Sequence, residues 1–175
     1  MCLVVDISAH IKGKSGQISE RIADRDIKVY KVIMKAPNTN DPLRYQTPYR
    51  MAPVIFQDAS TPVELKSRLT AVYKTLLAGA SLCLTGVSGM TVPTTTTRIE
   101  VESGIHAYTT LRAAKNDDAV GMLRTPVAAI VQAVIPKGAR YYVGQRDDIV
   151  SDSLLIYPPY ISAPAGVETL YIDKI

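Results

Sequence analysis

The apolar run Ala128–Ile135, which ends at Pro136, is the feature that most constrains the fold of this chain. Its length, its aliphatic residues and the proline that follows it are typical of a β-strand. Because its apolar side chains do not alternate with polar ones, both faces of the strand must be covered. We therefore expect a sheet in which residues 128–135 are buried on both faces.

Most of the other periodic segments also predict short strands, and the turns between them predict a mostly antiparallel meander. A short second helix is expected to begin after a Thr109 or Thr110 cap and to end near the polar residues 115–118. The expected strands are Ile27–Lys35, Ser81–Thr85, Arg98–Glu102, Ala139–Val143 and Ser153–Tyr157.

The segment 61–78 predicts the main helix. Thr61, Pro62 and Glu64 supply an N-cap, a proline at the first helical position and a capping-box glutamate. Apolar residues then recur at helical spacing until Gly79, which is typical of a helix end. These residues are Leu65, Leu69, Val72, Tyr73, Leu76 and Leu77. We therefore expect a β-rich α+β fold with one main amphipathic helix.

At 175 residues the chain has the usual length of one domain and can bury about 70% of the surface of its unfolded form. No internal repeat or linker divides it, so we expect a single domain over residues 1–175. Its core is expected at 27–157, between an N-terminal arm at 1–26 and a C-terminal arm at 158–175. Irregular loops, which serve as binding loops or become ordered against a neighbour, are expected at Ala36–Pro53, Gly86–Thr97 and Pro158–Gly166.

The formal net charge is +4, and the excess of cations lies in residues 1–50, which hold 9 Lys and Arg against 5 Asp and Glu. These cations form no dense basic stripe, so the sequence argues against nucleic acid as the main partner. Cys2 and Cys83 have no second ligand at a zinc-like spacing, so we expect free thiols, no metal and no cofactor. No segment predicts a signal peptide or a transmembrane helix, and we expect synthesis in a reducing cytosol.

His106 is the strongest candidate for a chemical site, because it lies where a strand is expected to end and a helix cap to begin. Together with Tyr108, Tyr141 and Tyr142 it defines the candidate pocket. The competing interpretation is that His106 is a core residue with a satisfied hydrogen bond.

No catalytic residue is predicted. The acidic pairs Asp117–Asp118 and Asp147–Asp148 fall in expected turns, where aspartate bonds to the local backbone. Ser88 lacks the neighbours that a phosphate loop or a nucleophile elbow requires.

Val29–Lys31, Tyr108–Thr110 and a late tyrosine-rich strand resemble the strand order of ADP-ribosyltransferase-like folds. The resemblance implies an enzyme with a pocket near His106. Those enzymes carry Arg or His on the first motif strand and a catalytic Glu near the last. This chain has Lys31 at the first position and no Glu between Glu102 and Glu168, which puts the activity in doubt.

Four segments resemble an uncharacterised module of tailed bacteriophages and gut Bacteroidetes: Val29–Val32, Gly104–Tyr108, Ile135–Gly144 and Asp148–Ile156. Together they span roughly residues 27–157. The family carries no catalytic residues that transfer to this chain. In a phage genome the resemblance implies a virion role, such as capsid decoration, head-fibre attachment or tail attachment.

The sequence thus favours a non-enzymatic, oligomeric structural protein that is made in the host cytoplasm and binds neighbouring protein subunits in a virion. Its tyrosines, ten against one phenylalanine, combine apolar area with a hydroxyl and suit interfaces. Contact is expected through the loops Leu43–Pro53 and Gly86–Thr97, with Tyr45, Tyr49 and Arg50 as anchors. The alternative is a small intracellular ligand-binding module or enzyme that uses the candidate pocket.

Overall fold

The computed structural model describes residues 3–6, 20–37, 39–48, 51–77, 95–116, 128–144, 147–159, 161, 163 and 168–169. Within these ranges the chain is rich in strands and contains one short helix. The elements are β1 Leu3–Asp6, β2 Arg21–Ile22, β3 Ile27–Lys35, β4 Arg44–Gln46, β5 Pro53–Ile55, β6 Val63–Lys66, β7 Thr70–Leu77, β8 Thr95–Ser103, β9 Ile105–Tyr108, α1 Leu111–Lys115, β10 Ala128–Ile135, β11 Arg140–Val143, β12 Asp148–Ser151, β13 Ser153–Ile156 and β14 Glu168–Thr169.

The described strands form two sheets. The main sheet has the order β2-β11-β12-β9-β3-β10-β13-β6. Outside this order, β14 and β4 pair with β3, and β5 pairs with β4. The smaller sheet has the order β1-β8-β7. Every pairing is antiparallel except that of β14 with β3, which confirms the prediction of a β-rich, mostly antiparallel domain.

Strand β3 is the centre of the main sheet. One of its edges pairs with β10 from Ile27 to Met34. Its other edge is divided among β14 at Ile27 and Lys28, β9 at Tyr30 alone, and β4 at Met34 and Lys35. Strand β3 therefore pairs with four other strands, β10, β14, β9 and β4.

One face of the main sheet packs around the main core. Strand β5, which reaches β3 through β4, also contacts β6 at the far end of the strand order, so the sheet curls around this core. Burying each of the largest side chains stabilises the fold by about 1.5–3 kcal/mol. Those without exposed surface in this cluster include Ile33, Val54, Ile135, Ile149, Leu154 and Ile156.

The outer face is covered locally. Helix α1 packs Ala113 and Ala114 on Val32, Tyr108 and their neighbours. Tyr157 and Ala163 cover Val134 of β10 on another part of the sheet. Since Val131, Ala133 and Ile135 face the main core, β10 is covered on both faces, and Ile130 and Gln132 on its outer face are half-buried.

The second helix is confirmed. The hydroxyl oxygen of Thr110 accepts a hydrogen bond from the backbone N–H of Ala113 at 3.1 Å, as an N-cap should. The predicted strands β3 and β10 have the predicted bounds, and β11 and β13 lie within theirs. Ser81–Thr85 lies outside the described residues.

The prediction of a main helix at 61–78 is wrong, because this segment forms β6 and β7. In β6, Val63 and Leu65 are half-buried while the residues after each are exposed, so the period is two. Leu65 lies opposite Leu154 of β13, and the pairing with β13 outweighs a helix cap worth about 1 kcal/mol. The spacing of Leu65 and Leu69 suggested a helix, whereas that of Val63 and Leu65 is the spacing of a strand.

The residues that suggested a helix start instead form a turn around Asp58. Its carboxylate accepts hydrogen bonds from the backbone N–H groups of Ser60 and Thr61 and from both hydroxyls, at 2.6–2.7 Å. These bonds hold the pKa of Asp58 well below its usual range, and those from the two hydroxyls have the largest effect. The loop expected at Ala36–Pro53 also contains the strand β4, which pairs with β5 as a hairpin.

The two sheets join where β8 continues through Gly104 into β9. Gly104 has a φ of 143°, a conformation that side chains rarely adopt. Its Cα lies so close to Val150 and Leu69 that a Cβ would meet both. Leu69 and Val101 from this junction pack on Tyr142 and Val150 of the main sheet.

Candidate functional site

The pairing of β9 with β12 assembles a polar cluster on the outer face of the sheet. Tyr108 lies opposite Asp148, and His106 lies opposite Val150. Residues opposite each other share a face, as do residues two apart on one strand. We call His106, Tyr108 and Asp148 the His106 cluster.

The ring of His106 sits between a phenol ring and a carboxylate. It meets Tyr108 edge to face, with ring centroids 5.0 Å apart. Its Nε2 lies 4.0 Å from Oδ1 of Asp148, and the two side chains are 19% and 24% exposed. This spacing is too long for a hydrogen bond but suits an ion pair when the imidazole is protonated.

Lys31 holds the backbone of His106 from the opposite side of the sheet. It shares the inner face of β3 with Ile27, Val29 and Ile33, and only 4% of its surface is exposed. Its Nζ donates a hydrogen bond to the carbonyl oxygen of His106 at 2.6 Å. The contact lies beside the single residue pair that joins β3 and β9.

The four residues of the candidate pocket do not share one face. His106 and Tyr108 lie together, and Tyr142 lies on the same face but beyond Val150 in the row across β9, β12 and β11. There Tyr142 packs with Leu69, Val101 and Val150. Tyr141 faces the main core. The structure thus brings His106 and Tyr108 together with Asp148, which the sequence had placed only in a solvated turn.

A second candidate site is the outer face of the β4–β5 hairpin. Met51 and Ile55 are 58% and 49% exposed, and Pro53 between them is also exposed. Pro53 and Ile55 lie on the face of β5 opposite to the buried Val54, and Met51 lies in the turn before this strand. Ile55 lies opposite the exposed Arg44. We call Arg44, Met51, Pro53 and Ile55 the hairpin surface.

The hairpin is held in place by its own backbone. The N–H of Thr47 donates to the carbonyl of Ala52 at 2.9 Å, and the N–H of Ala52 donates to the hydroxyl of Thr47 at 3.1 Å. Met51 adopts a φ of 51° and its sulfur accepts a contact from Nε2 of Gln46 at 3.1 Å. Met51 is therefore held in the turn beside the exposed side chains of β5.

Of the predicted interface anchors, the structure describes only Tyr45. Its ring is 9% exposed and packs edge to face on Phe56, with centroids 5.9 Å apart. Nζ of Lys35 lies 4.8 Å from the centroid of the Tyr45 ring. The ring thus packs inside its own chain, and the interface role of Tyr45 stays a prediction. Tyr49 and Arg50 lie outside the described residues.

Within the described ranges, no group of three or more His, Cys, Asp or Glu side chains is placed to hold a metal ion. Among the same residues, no helix has the length and apolar character needed to cross a membrane. Comparison of the chain with protein-family models, curated proteins and solved structures gives no match.

Proposed function

We propose that this protein is a non-enzymatic structural subunit that binds neighbouring protein subunits in a larger assembly. The observation that carries the proposal is the hairpin surface, where Met51 and Ile55 are 58% and 49% exposed beside Arg44. Isolated exposed apolar residues are common, but here Pro53 and Ile55 share the outer face of β5, and Met51 lies in the turn just before it, with its sulfur against Gln46 opposite Pro53. Methionine and arginine are enriched where proteins meet.

The inner face of the same hairpin explains why this surface suits a rigid contact. Val54 has no exposed surface and Phe56 only 3%, so β5 is anchored in the core while its other face is open. A rigid, exposed apolar strand loses little conformational entropy when a partner covers it. Covering the remaining exposed parts of Met51 and Ile55 would contribute about 1 kcal/mol each.

We further propose that the assembly is a bacteriophage virion, with a role in capsid decoration, head-fibre attachment or tail attachment. The resemblance of Gly104–Tyr108 and Ile135–Gly144 to a module of tailed phages supports this proposal. In this reading the chain is an oligomeric auxiliary virion protein and its partners are other virion subunits.

The test is a double variant, Met51→Ser with Ile55→Thr, assayed for binding to purified particles or capsid subunits. We expect binding to weaken by about tenfold or more, since 1.4 kcal/mol corresponds to a factor of ten. The matched control is Ile22→Thr, because Ile22 is 68% exposed on a different edge strand. Binding that falls equally in both variants, or in neither, would remove the hairpin surface from the interface.

The second candidate function is ligand binding at the His106 cluster. It is favoured by one observation: His106 lies against the ring of Tyr108 and near the carboxylate of Asp148, and the side chains of His106 and Asp148 are partly exposed. Addition of ligands from a small-molecule screen should then shift the NMR signals of His106 and Asp148 in the wild type and leave the signal of Asp148 unchanged in His106→Gln. No shift at these residues with any ligand would contradict a binding site there. Lys31, at the position of the ADP-ribosyltransferase motif, is 4% exposed and faces the core, so we do not propose that activity.

A further inference from the structure

Met51 brings a reactive thioether as well as apolar area to the hairpin surface. Of the two methionines that the structure describes, Met51 is 58% exposed and Met34 is half-buried. A thioether that solvent reaches is open to oxidation, which converts a flexible apolar side chain into a polar, chiral one. At Met51 this change would fall on the surface that we assign to partner binding.

The backbone fixes both the sulfur and the amide group that it contacts. The N–H of Met51 donates to the carbonyl oxygen of Thr47 at 3.1 Å, and Met51 has a φ of 51°. Gln46 lies in β4, opposite Met34 of β3 on one side and Pro53 of β5 on the other. Its Nε2 donates to the sulfur of Met51 at 3.1 Å. The contact therefore joins two positions that the hairpin holds in place.

The contact with Gln46 makes the two lone pairs of the sulfur unequal. A thioether sulfur is a weak acceptor, and the N–H of Gln46 occupies one of its lone pairs. An oxidant then reaches the other lone pair more readily. Addition of oxygen to one lone pair or to the other gives the two epimers of methionine sulfoxide. The geometry thus favours one epimer.

We propose that Met51 is an oxidation site that switches the hairpin surface, with hydrogen peroxide or an organic hydroperoxide as the oxidant. A lone pair of the sulfur attacks the terminal peroxide oxygen, so that an S–O bond forms and the O–O bond breaks. The sulfur is oxidised by two electrons and the peroxide is reduced. The leaving oxygen takes the proton of the attacked oxygen and departs as water or an alcohol.

Oxidation should weaken subunit binding, and this step rests on the proposed function. Within an apolar contact the sulfoxide oxygen loses its water, and burial of an incompletely bonded polar group destabilises the contact. Reduction of the sulfoxide restores the thioether, so the switch is reversible. A partner that covers Met51 should also shield it from the oxidant.

The first experiment measures the chemistry in the full, free chain. Dilute hydrogen peroxide is added, and peptide mass spectrometry follows the sulfoxides of Met51 and Met34. Met51 should oxidise faster. Digestion with the two epimer-specific methionine sulfoxide reductases should show one Met51 epimer in about 2- to 5-fold excess, as expected for one weak hydrogen bond.

Two variants remove the N–H donor from the sulfur, and each should give equal amounts of the two epimers. They are Gln46→Leu and, as a second variant, Gln46→Glu, whose carboxylate has no proton to donate at neutral pH. Oxidation of Met51 no faster than that of Met34 would overturn the proposal. Equal epimers in the wild type, or an excess that neither variant changes, would overturn it too.

The second experiment measures binding to purified particles or capsid subunits before and after peroxide treatment. Peroxide should weaken binding of the wild type by about 5-fold. Met51→Leu is the matched control, because it keeps an apolar side chain without sulfur. Compared with its own untreated sample, Met51→Leu should show no effect of peroxide. An equal loss of binding in both chains would place the sensitive group elsewhere and overturn the switch.

Failure of this inference and failure of the proposed function give different results. If Met51→Ser with Ile55→Thr binds particles as the wild type does, the proposed function fails, while the rate and epimer measurements still test the oxidation site. If that variant loses binding while peroxide leaves the wild type unaffected, the subunit role stands and only the oxidation switch is wrong.

Discussion

Replacing Gly104 with Ala should destabilise the junction between the two sheets. The new Cβ would meet Val150 and would lie 2.8 Å from Cδ1 of Leu69 and 3.3 Å from the carbonyl oxygen of Ser151. Overpacking of this kind costs about 1–3 kcal/mol. A φ of 143° adds about 1–3 kcal/mol for a residue with a side chain.

The expected loss is therefore about 2–6 kcal/mol, which lowers the Tm of a chain of this size by at least about 4 °C. Gly138→Ala is the matched control, because Gly138 also has a positive φ, 87°, but nothing lies within 4 Å of its added Cβ. It should cost about 1 kcal/mol, from the backbone alone. Differential scanning calorimetry measures both variants. Equal Tm values for the two would refute the crowded junction at Gly104.

Two further predictions concern the turn before β6 and the main core. Asp58→Ala should lower the free energy of unfolding at neutral pH. The difference from the wild type should narrow as the pH falls below the ordinary aspartate pKa of 3.8, because a lowered folded-state pKa stabilises the fold above that value and the stabilisation is lost progressively below it. Urea titrations at several pH values measure this difference, and a difference that stays constant with pH would contradict the prediction. Leu154→Ala, at a side chain with no exposed surface, should cost about 2–5 kcal/mol in chemical denaturation, and a loss below about 1 kcal/mol would place Leu154 outside the core.

The parts of the fold that the sequence predicted are those with strong and unambiguous local patterns. Strands β3 and β10 are long and rich in β-branched or aliphatic residues, and their bounds match the prediction. The short helix was marked by its Thr110 cap. The helix prediction for segment 61–78 failed because Leu65 and Leu69 have a helical spacing while Val63 and Leu65 have a strand spacing, and pairing with the distant strand β13 decided between them.

The candidate sites depended more on pairing than on local pattern. The approach of Asp148 to His106 follows from the register of β9 with β12, which no local signal specifies. The position of Lys31 did carry a signal, since Lys31 is two residues from both Val29 and Ile33 and so shares their core face. The exposed face of β5 carried one too, because Pro53 and Ile55 alternate with the buried Val54.

The most direct test of the proposed function is mass spectrometry together with cryo-electron microscopy of virus particles from the source of this chain. The proposal predicts stoichiometric abundance and symmetric density in which the hairpin surface, Arg44, Met51, Pro53 and Ile55, contacts a neighbouring subunit. Absence of the chain from purified particles, or density in which this surface faces solvent in every copy, would contradict it.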